Sequence, residues 1–272
     1  MNKLRIAKYL AIVLPILVLT GFIYVQTNGN ENMVLVPGGE FTKKVEYRWR
    51  EGLTLDSLIT DDAGVRYRSI TIESVSAFYI DKTEVTNKQY KQFIEGSGYR
   101  PKFLENYLKH WKNGTYPKKK ANHPVVWISL EDAQAYAKWA GKRLPTDTEW
   151  QRAAQGDDGR TWPWGNLFDA KKANIDSKDT RPVASYKTGV SPYGVFDMTG
   201  NVWEWTASTF EPYPGYVIDP YDTYSEPSFG QQKVLRGGCW ATRPHVIRNS
   251  FRNFYTPDRN NLFAGFRTVA KR

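Results

Sequence analysis

Two acidic side chains, Asp197 and Glu204, stand close enough to converge in Gly194-Val-Phe-Asp-Met-Thr-Gly-Asn-Val-Trp-Glu-Trp205. Glycines interrupt this run and tryptophans anchor it, as they do Val234-Leu-Arg-Gly-Gly-Cys-Trp240 further on. Both runs read as loop, and long irregular segments in a compact domain are usually functional or pinned by a metal. Two carboxylates among glycines suit a hard cation, which wants several oxygens that include backbone carbonyls. The competing reading pairs Glu204 with an arginine in a buried network. A second set is Tyr213, Tyr216, His245, Arg248, Tyr255 and Arg259. Aromatic walls with a few cationic donors suit a small anionic or zwitterionic ligand, or a peptide segment. The alternative for this set is an aromatic cluster packed under the terminal strand.

Soft-metal chemistry is poorly supplied. Cys239 is the one cysteine in 272 residues, which excludes an intramolecular disulfide and any multi-cysteine metal site. The histidines are His110, His123 and His245.

The elements that must position these residues are unevenly legible. Met33 to Phe41 reads as a strand entering a glycine turn, and Ile70 to Ile80 as another strand, rich in β-branched and aromatic residues. The segment from Val45 to Arg68 reads as an insertion or an extended hairpin. Three helix starts are marked: Thr86 with Gln89, Ser129, and Thr146 with Glu149. Gly141 and Gly156 are the expected stops of the second and third helices. Beyond Gly156 helical periodicity disappears, leaving short strand-like runs at Lys233–Arg236 and Gly265–Ala270. The order of elements predicts an α+β domain with little regular structure.

Composition sets further bounds. With 40% hydrophobic residues the chain can bury one sizeable core, and 10 Trp and 17 Tyr favour loops stapled by aromatic rings. The net charge of +10 reads as a solvated basic face, and no nucleic-acid motif accompanies the Lys118-Lys119-Lys120 run, so no nucleic-acid partner is expected. Lys3, Arg5 and Lys8 precede an apolar run from Tyr9 to Val25. Residues 1–28 are therefore read as a cytoplasmic amino end and signal anchor, a single membrane span with residues 33–272 periplasmic or extracellular. A cleaved signal peptide is the alternative.

The motifs Val36-Pro-Gly-Gly-Glu-Phe, Glu84-Val-Thr-Asn-Lys-Gln-Tyr, Arg143-Leu-Pro-Thr-Asp-Thr-Glu-Trp, Pro163-Trp-Gly, Gly200-Asn-Val-Trp-Glu-Trp-Thr, Leu235-Arg-Gly-Gly and Ala264-Gly-Phe-Arg occur in order. Together they resemble the formylglycine-generating-enzyme, or sulfatase-modifying-factor-like, family from Met33 to Arg272. The resemblance implies a C-type-lectin-like α+β fold of low regular-structure content. It also implies a calcium site from the side chains of Asp197 and Glu204 with the carbonyls of Gly200 and Val202. A second site would use Asn174, the Ile175 carbonyl and ligands around Asp179.

Formylglycine generation itself is not expected. The family's copper–thiolate oxygen chemistry needs two cysteines downstream of Arg-Gly-Gly, and Trp240 to Arg252 contains none. Cys239 stands where the family usually has serine, and is read as buried and inert. The carboxyl-terminal third resembles the catalytic domain of ergothioneine-type sulfoxide synthases, which are non-haem iron enzymes. That likeness makes Tyr216, Tyr255 and Arg259 the catalytic candidates, with Tyr216 as proton donor, and Tyr213, His245 and Arg248 the substrate-binding ones. Arg259 matches the family's substrate arginine, whereas Tyr255 replaces an expected acid. No counterpart is expected here of the helical domain that carries the iron-binding histidines in those enzymes, so Fe2+ would need the three histidines or a protein partner. Two readings follow: a metal-dependent oxidoreductase completed by a partner, or a non-catalytic, calcium-stabilised binding or assembly module.

Overall fold

A computed structural model describes residues 32–48, 65–213 and 229–272. The anchor expected within residues 1–28, the catalytic candidate Tyr216 and most of the 45–68 insertion lie outside these. Among the described residues no helix is long and apolar enough to cross a membrane.

The strands are β1 (Met33–Val36), β2 (Gly39–Arg48), β3 (Val65–Val75), β4 (Phe78–Asp81), β5 (Trp203–Thr209), β6 (Lys233–Arg236), β7 (Asn253–Tyr255), β8 (Ala264–Gly265) and β9 (Val269–Lys271). The helices are α1 (Asn87–Ser97), α2 (Leu130–Trp139) and α3 (Asp147–Gln155). Three sheets result, ordered β1-β4-β9, β2-β3 and β7-β6-β5-β8, with β5 and β8 parallel. This is the α+β architecture expected, with modest regular structure.

The helix starts fall where the caps place them. Thr86, Ser129 and Thr146 each accept from the backbone N–H three residues on, and Gln89, Asp132 and Glu149 return the bond. Such boxes satisfy N–H groups that a helix start otherwise leaves unpaired. Helix α3 ends at Gly156, whose φ of 70° is open to glycine, and α2 stops one residue before Ala140 with Gly141 at φ 69°.

Three expectations need correction. Ile70 to Ile80 is not one strand: β3 ends at Val75 and β4 begins at Phe78, in different sheets. The backbone passes close to Gly38 there, and a Cβ on that glycine would lie 2.7 Å from the Ala77 nitrogen. Gly265–Ala270 likewise divides into β8 and β9. The loop reading of Gly194–Trp205 holds only to Val202, because β5 begins at Trp203. Trp203, Glu204 and Trp205 are all buried, so the alternation that betrays a half-exposed strand is missing.

Helix α3 is the hub. Trp150, Ala153 and Ala154 join Val36, Phe78, Ile80 and Val269 in one core, while Trp203, Trp205 and Leu235 pack with α1 and α2 residues in another. The polar side of α3 serves β2 as a neighbouring strand would. Arg152, Gln155 and Gln151 donate to the carbonyls of Glu40 (3.2 Å), Thr42 (2.5 Å) and Lys44 (2.8 Å). An edge that would otherwise be open to pairing is thereby closed.

Candidate functional site

The loop before β5 and strand β8 bring a group of acids around one arginine. Arg267 is fully buried and donates from Nε to Glu204 Oε2 and from a terminal nitrogen to Oε1, both at 2.7 Å. It also reaches the carbonyls of Phe196 (2.9 Å) and Asp81 (3.2 Å). Trp150 Nε1 gives Glu204 Oε2 a third bond at 2.7 Å. Glu204 therefore has the arginine partner of the competing reading.

Asp197 lies at the same centre, its Oδ2 accepting from the Ala184 N–H at 2.6 Å. The third acid, Glu84, was not singled out in the sequence beyond its place in a motif. Its Oε1 accepts from Asn201 Nδ2 at 2.9 Å, and its Oε2 is buried without a hydrogen-bond partner. Burial, then the neighbouring Asp197 charge, hold the Glu84 carboxyl well above its ordinary range, and burial also raises Asp197. A carboxylate oxygen with no other donor beside a second acid is satisfied either by a proton that Glu84 shares with Asp197 or by a bound cation. Asp197 and Asn201 both take positive φ (56° and 62°), and a Cβ on Gly200 would lie 2.3 Å from the Asn174 carbonyl oxygen. The turn through Gly200 thus requires glycine.

The second expected cation loop is tied to the first. Asn174 Nδ2 donates to Asn201 Oδ1 at 3.1 Å, and the Asn174 carbonyl accepts from Asn201 N–H at 2.9 Å. The Ile175 side chain packs beside Trp162, which leaves its carbonyl's expected role untouched. The Asp179 carboxylate is held by Lys120 Nζ at 2.6 Å and the Thr180 N–H at 2.7 Å. Protein donors already occupy that loop's acid.

His110 and His123 do not build an iron site. His123 Nδ1 bonds Thr180 Oγ1 at 2.9 Å, both His110 ring nitrogens are buried without partners, and His245 belongs to a short 3-10 turn, Pro244–Val246. Burial, helped by Lys120, pulls His110 and His123 down to about 4, so both rings are neutral. Among the described residues no group of three or more His, Cys, Asp or Glu is arranged to hold a metal. The donors described therefore do not fit iron.

The expected ligand pocket separates into distinct places. Arg259 stacks on Tyr255 at 4.3 Å, and Tyr255 meets Trp205 edge-on at 5.9 Å, beside the core that contains Cys239. Tyr213 packs on Arg252 instead, 3.6 Å from guanidinium to ring centre, and Arg252 also covers Phe210. Phe254 contacts Phe210 at 4.7 Å, so neighbouring residues of β7 place Tyr255 and Tyr213 on opposite faces of the sheet. Arg248 is buried over the Trp162 ring at 5.2 Å, a third location. Of the pocket residues with described side chains, only Tyr255 and Arg259 come together. Cys239 is buried with its Sγ 3.3 Å from Thr242 Oγ1, and burial raises its thiol, which matches an inert role.

The family model for the sulfatase-modifying factor enzyme 1-like domain matches residues 23–272. The chain belongs to this family. A hercynine oxygenase of Mycolicibacterium smegmatis is 34% identical over 266 residues, covering 86% of this chain and 60% of the relative. Its counterpart in Mycobacterium tuberculosis is 37% identical over 229 residues, covering 74% and 54%. The chain thus spans little more than half the length of these relatives. A formylglycine-generating enzyme of Streptomyces coelicolor is 30% identical over 288 residues, covering 86% of this chain and 87% of the enzyme. Among solved structures, PvdO from Pseudomonas aeruginosa superposes with a TM-score of 0.61 at 20% identity, covering 88% of this chain and 94% of PvdO. CarF gives 0.58 at 22% identity, covering 88% and 98%. These neighbours establish the sulfatase-modifying-factor fold.

Proposed function

We propose that this sulfatase-modifying-factor-like protein is a membrane-anchored, extracytoplasmic component of an oxidoreductase of the sulfoxide-synthase type. Its own contribution is to bind a small anionic ligand, and a partner chain supplies the redox metal's ligands. The observation that carries this is the Tyr255–Arg259 pair, a guanidinium braced on an aromatic face beside Trp205. A braced arginine is pre-organised to take a carboxylate with little entropic loss. The described histidines do not fit iron, so no reaction step is assigned to them. The likeness to hercynine oxygenases supports the oxidoreductase class. Tyr255 stands where an acid would offset a ligand's positive charge, and its ring is occupied by Arg259. An anionic ligand is therefore favoured over a betaine.

The test is calorimetry of the full chain in detergent with cysteine sulfinate and with hercynine. Tighter binding of the sulfinate, weakened about 10- to 100-fold in Arg259→Ala, supports the reading, since a hydrogen bond to a charged group contributes roughly 1.5–3 kcal/mol. Equal binding by wild type and Arg259→Ala sinks it. Elemental analysis of chain purified with and without its co-purifying partners reads the metal separately. Near-stoichiometric iron on the isolated chain would overturn the partner arrangement.

A calcium-stabilised module is the second reading, favoured by the unpartnered Glu84 oxygen. Asp197, the Gly200 and Val202 carbonyls and Glu84 would hold the ion, with Glu204 already braced by Arg267. Calcium would supply structural cross-linking there, not redox chemistry.

A further inference from the structure

Asn261 carries a hydrogen-bond donor that the fold does not use. Its Oδ1 accepts from the Phe263 N–H at 2.9 Å, which fixes the amide's two ends. Its Nδ2 is buried and has no hydrogen-bond partner among the described residues. Native proteins rarely leave a buried donor without an acceptor, because its lost hydration is not repaid.

That donor stands at the inner end of the Tyr255–Arg259 pair. Burial raises the Tyr255 hydroxyl, and the Asn261 amide pulls it back most, ahead of Arg259, as a group beside the phenolic oxygen would. The buried Cys239 thiol also acts on that oxygen, so the tip of the ring points inward. The Arg259 guanidinium lies over the ring face instead, 4.3 Å from its centre, and Arg259 is exposed. One cation at the mouth and two neutral donors, an O–H and an N–H, at the inner end make a graded site. The turn that carries Arg259 and Asn261 is held from the start of α2. Leu130 N–H donates to the Pro257 carbonyl at 3.1 Å and Trp127 N–H to the Asn261 carbonyl at 2.8 Å.

We infer that Asn261 is a specificity-determining residue of this site, and that the ligand it selects carries two acceptor groups. A carboxylate meets Arg259 at the mouth, and a second oxyanion such as a sulfinate meets the Asn261 amide and the Tyr255 hydroxyl within. A thioether at the inner end would leave both donors unpaired, and sites built to hydrogen-bond reject analogues that lack the acceptor. This rests on the proposed Tyr255–Arg259 ligand site and adds the chemistry of the ligand's far end.

Calorimetry of the full chain in detergent tests this with cysteine sulfinate and with S-methylcysteine, which keeps the amino-acid end but lacks the sulfinate oxygens. Wild type is expected to bind the sulfinate at least tenfold more tightly. Asn261→Asp keeps the acceptor for the Phe263 N–H and removes the donor. It should erase the preference by weakening the sulfinate tenfold or more while S-methylcysteine changes less than threefold. If Asn261→Asp loses its melting transition, Asn261→Ser is read the same way. Equal binding of the two ligands by wild type overturns the inference without any variant. Parallel loss of both ligands in a folded Asn261 variant means a structural role and overturns it too. Sulfinate binding that needs Arg259 but not Asn261 overturns this inference alone, whereas binding unchanged in Arg259→Ala sinks the site as a whole.

Discussion

Arg267 holds Glu204 by one 2.7 Å hydrogen bond to each carboxylate oxygen, and neither side chain reaches solvent. Buried pairs of this kind are costly to halve, because the remaining charge stays desolvated. Arg267→Met should lower unfolding stability by about 3–5 kcal/mol. Glu204→Gln should cost a similar amount and also weaken the Trp150 indole bond. The double variant should cost clearly less than the two singles added together, read by urea unfolding. Simple additivity would mean the pair is not energetically coupled.

Calcium should stabilise the protein through the neighbouring acids. Chelator-treated protein should gain melting temperature on calcium addition, by an increment equivalent to about 2.7 kcal/mol at a hundredfold excess over Kd. Asp197→Asn and Glu84→Gln should each remove the response. If wild type shows no response and Glu84→Gln is simply more stable, the acids form a strained, metal-free pair.

Stability should fall on acidification because two histidines are kept neutral. His110 and His123 sit at about 4 in the folded protein against an ordinary 6.5. Below 6.5 the unfolded chain takes up protons that the folded chain refuses, so stability is complete above that pH. It should be lost progressively from 6.5 downward and level off near 4. Denaturant midpoints across that window check this, and His110→Phe with His123→Gln should flatten the slope. Lys120→Met should shallow it too, since Lys120 helps depress both rings.

The side-chain donors from α3 to β2 offer another test. Gln155→Leu should cost about 1–3 kcal/mol by stranding the Thr42 carbonyl. Gln151→Leu should cost more, because Gln151 also accepts from Arg236 at 2.6 Å. Hydrogen exchange should rise selectively along β2. Unchanged protection there would show that water replaces the glutamines without penalty.

Legibility in the sequence followed the range of each signal. Helix caps are local, so Thr86, Ser129 and Thr146 were readable directly, as were glycine stops. Strand β5 was not, because a strand buried on both faces has no alternation, and its glutamate is kept there by Arg267 from β8's far side and the Trp150 indole of α3. The family likeness gave the fold and brought Asp197 and Glu204 to one centre. It could not announce Glu84, whose partner Asn201 lies 117 positions away. Tyr213 and Tyr255 looked like members of one pocket by composition. The pleat of β7, invisible without knowing that Asn253–Tyr255 is a strand, sends them to opposite sides.

Strand β4 sits between β1 and β9, and Asp81 bonds Thr268 across 187 positions of chain. A ribosome adding roughly 5–20 residues per second would finish β4 on the order of ten seconds or more before β9 exists. Phe78 and Ile80, buried in the finished domain, must wait that long for Val269 to cover them. The nascent chain therefore has a built-in dependence on protection during its own synthesis. A premature stop that removed only the four residues from Val269 to Arg272 would leave that first sheet permanently open to quality control.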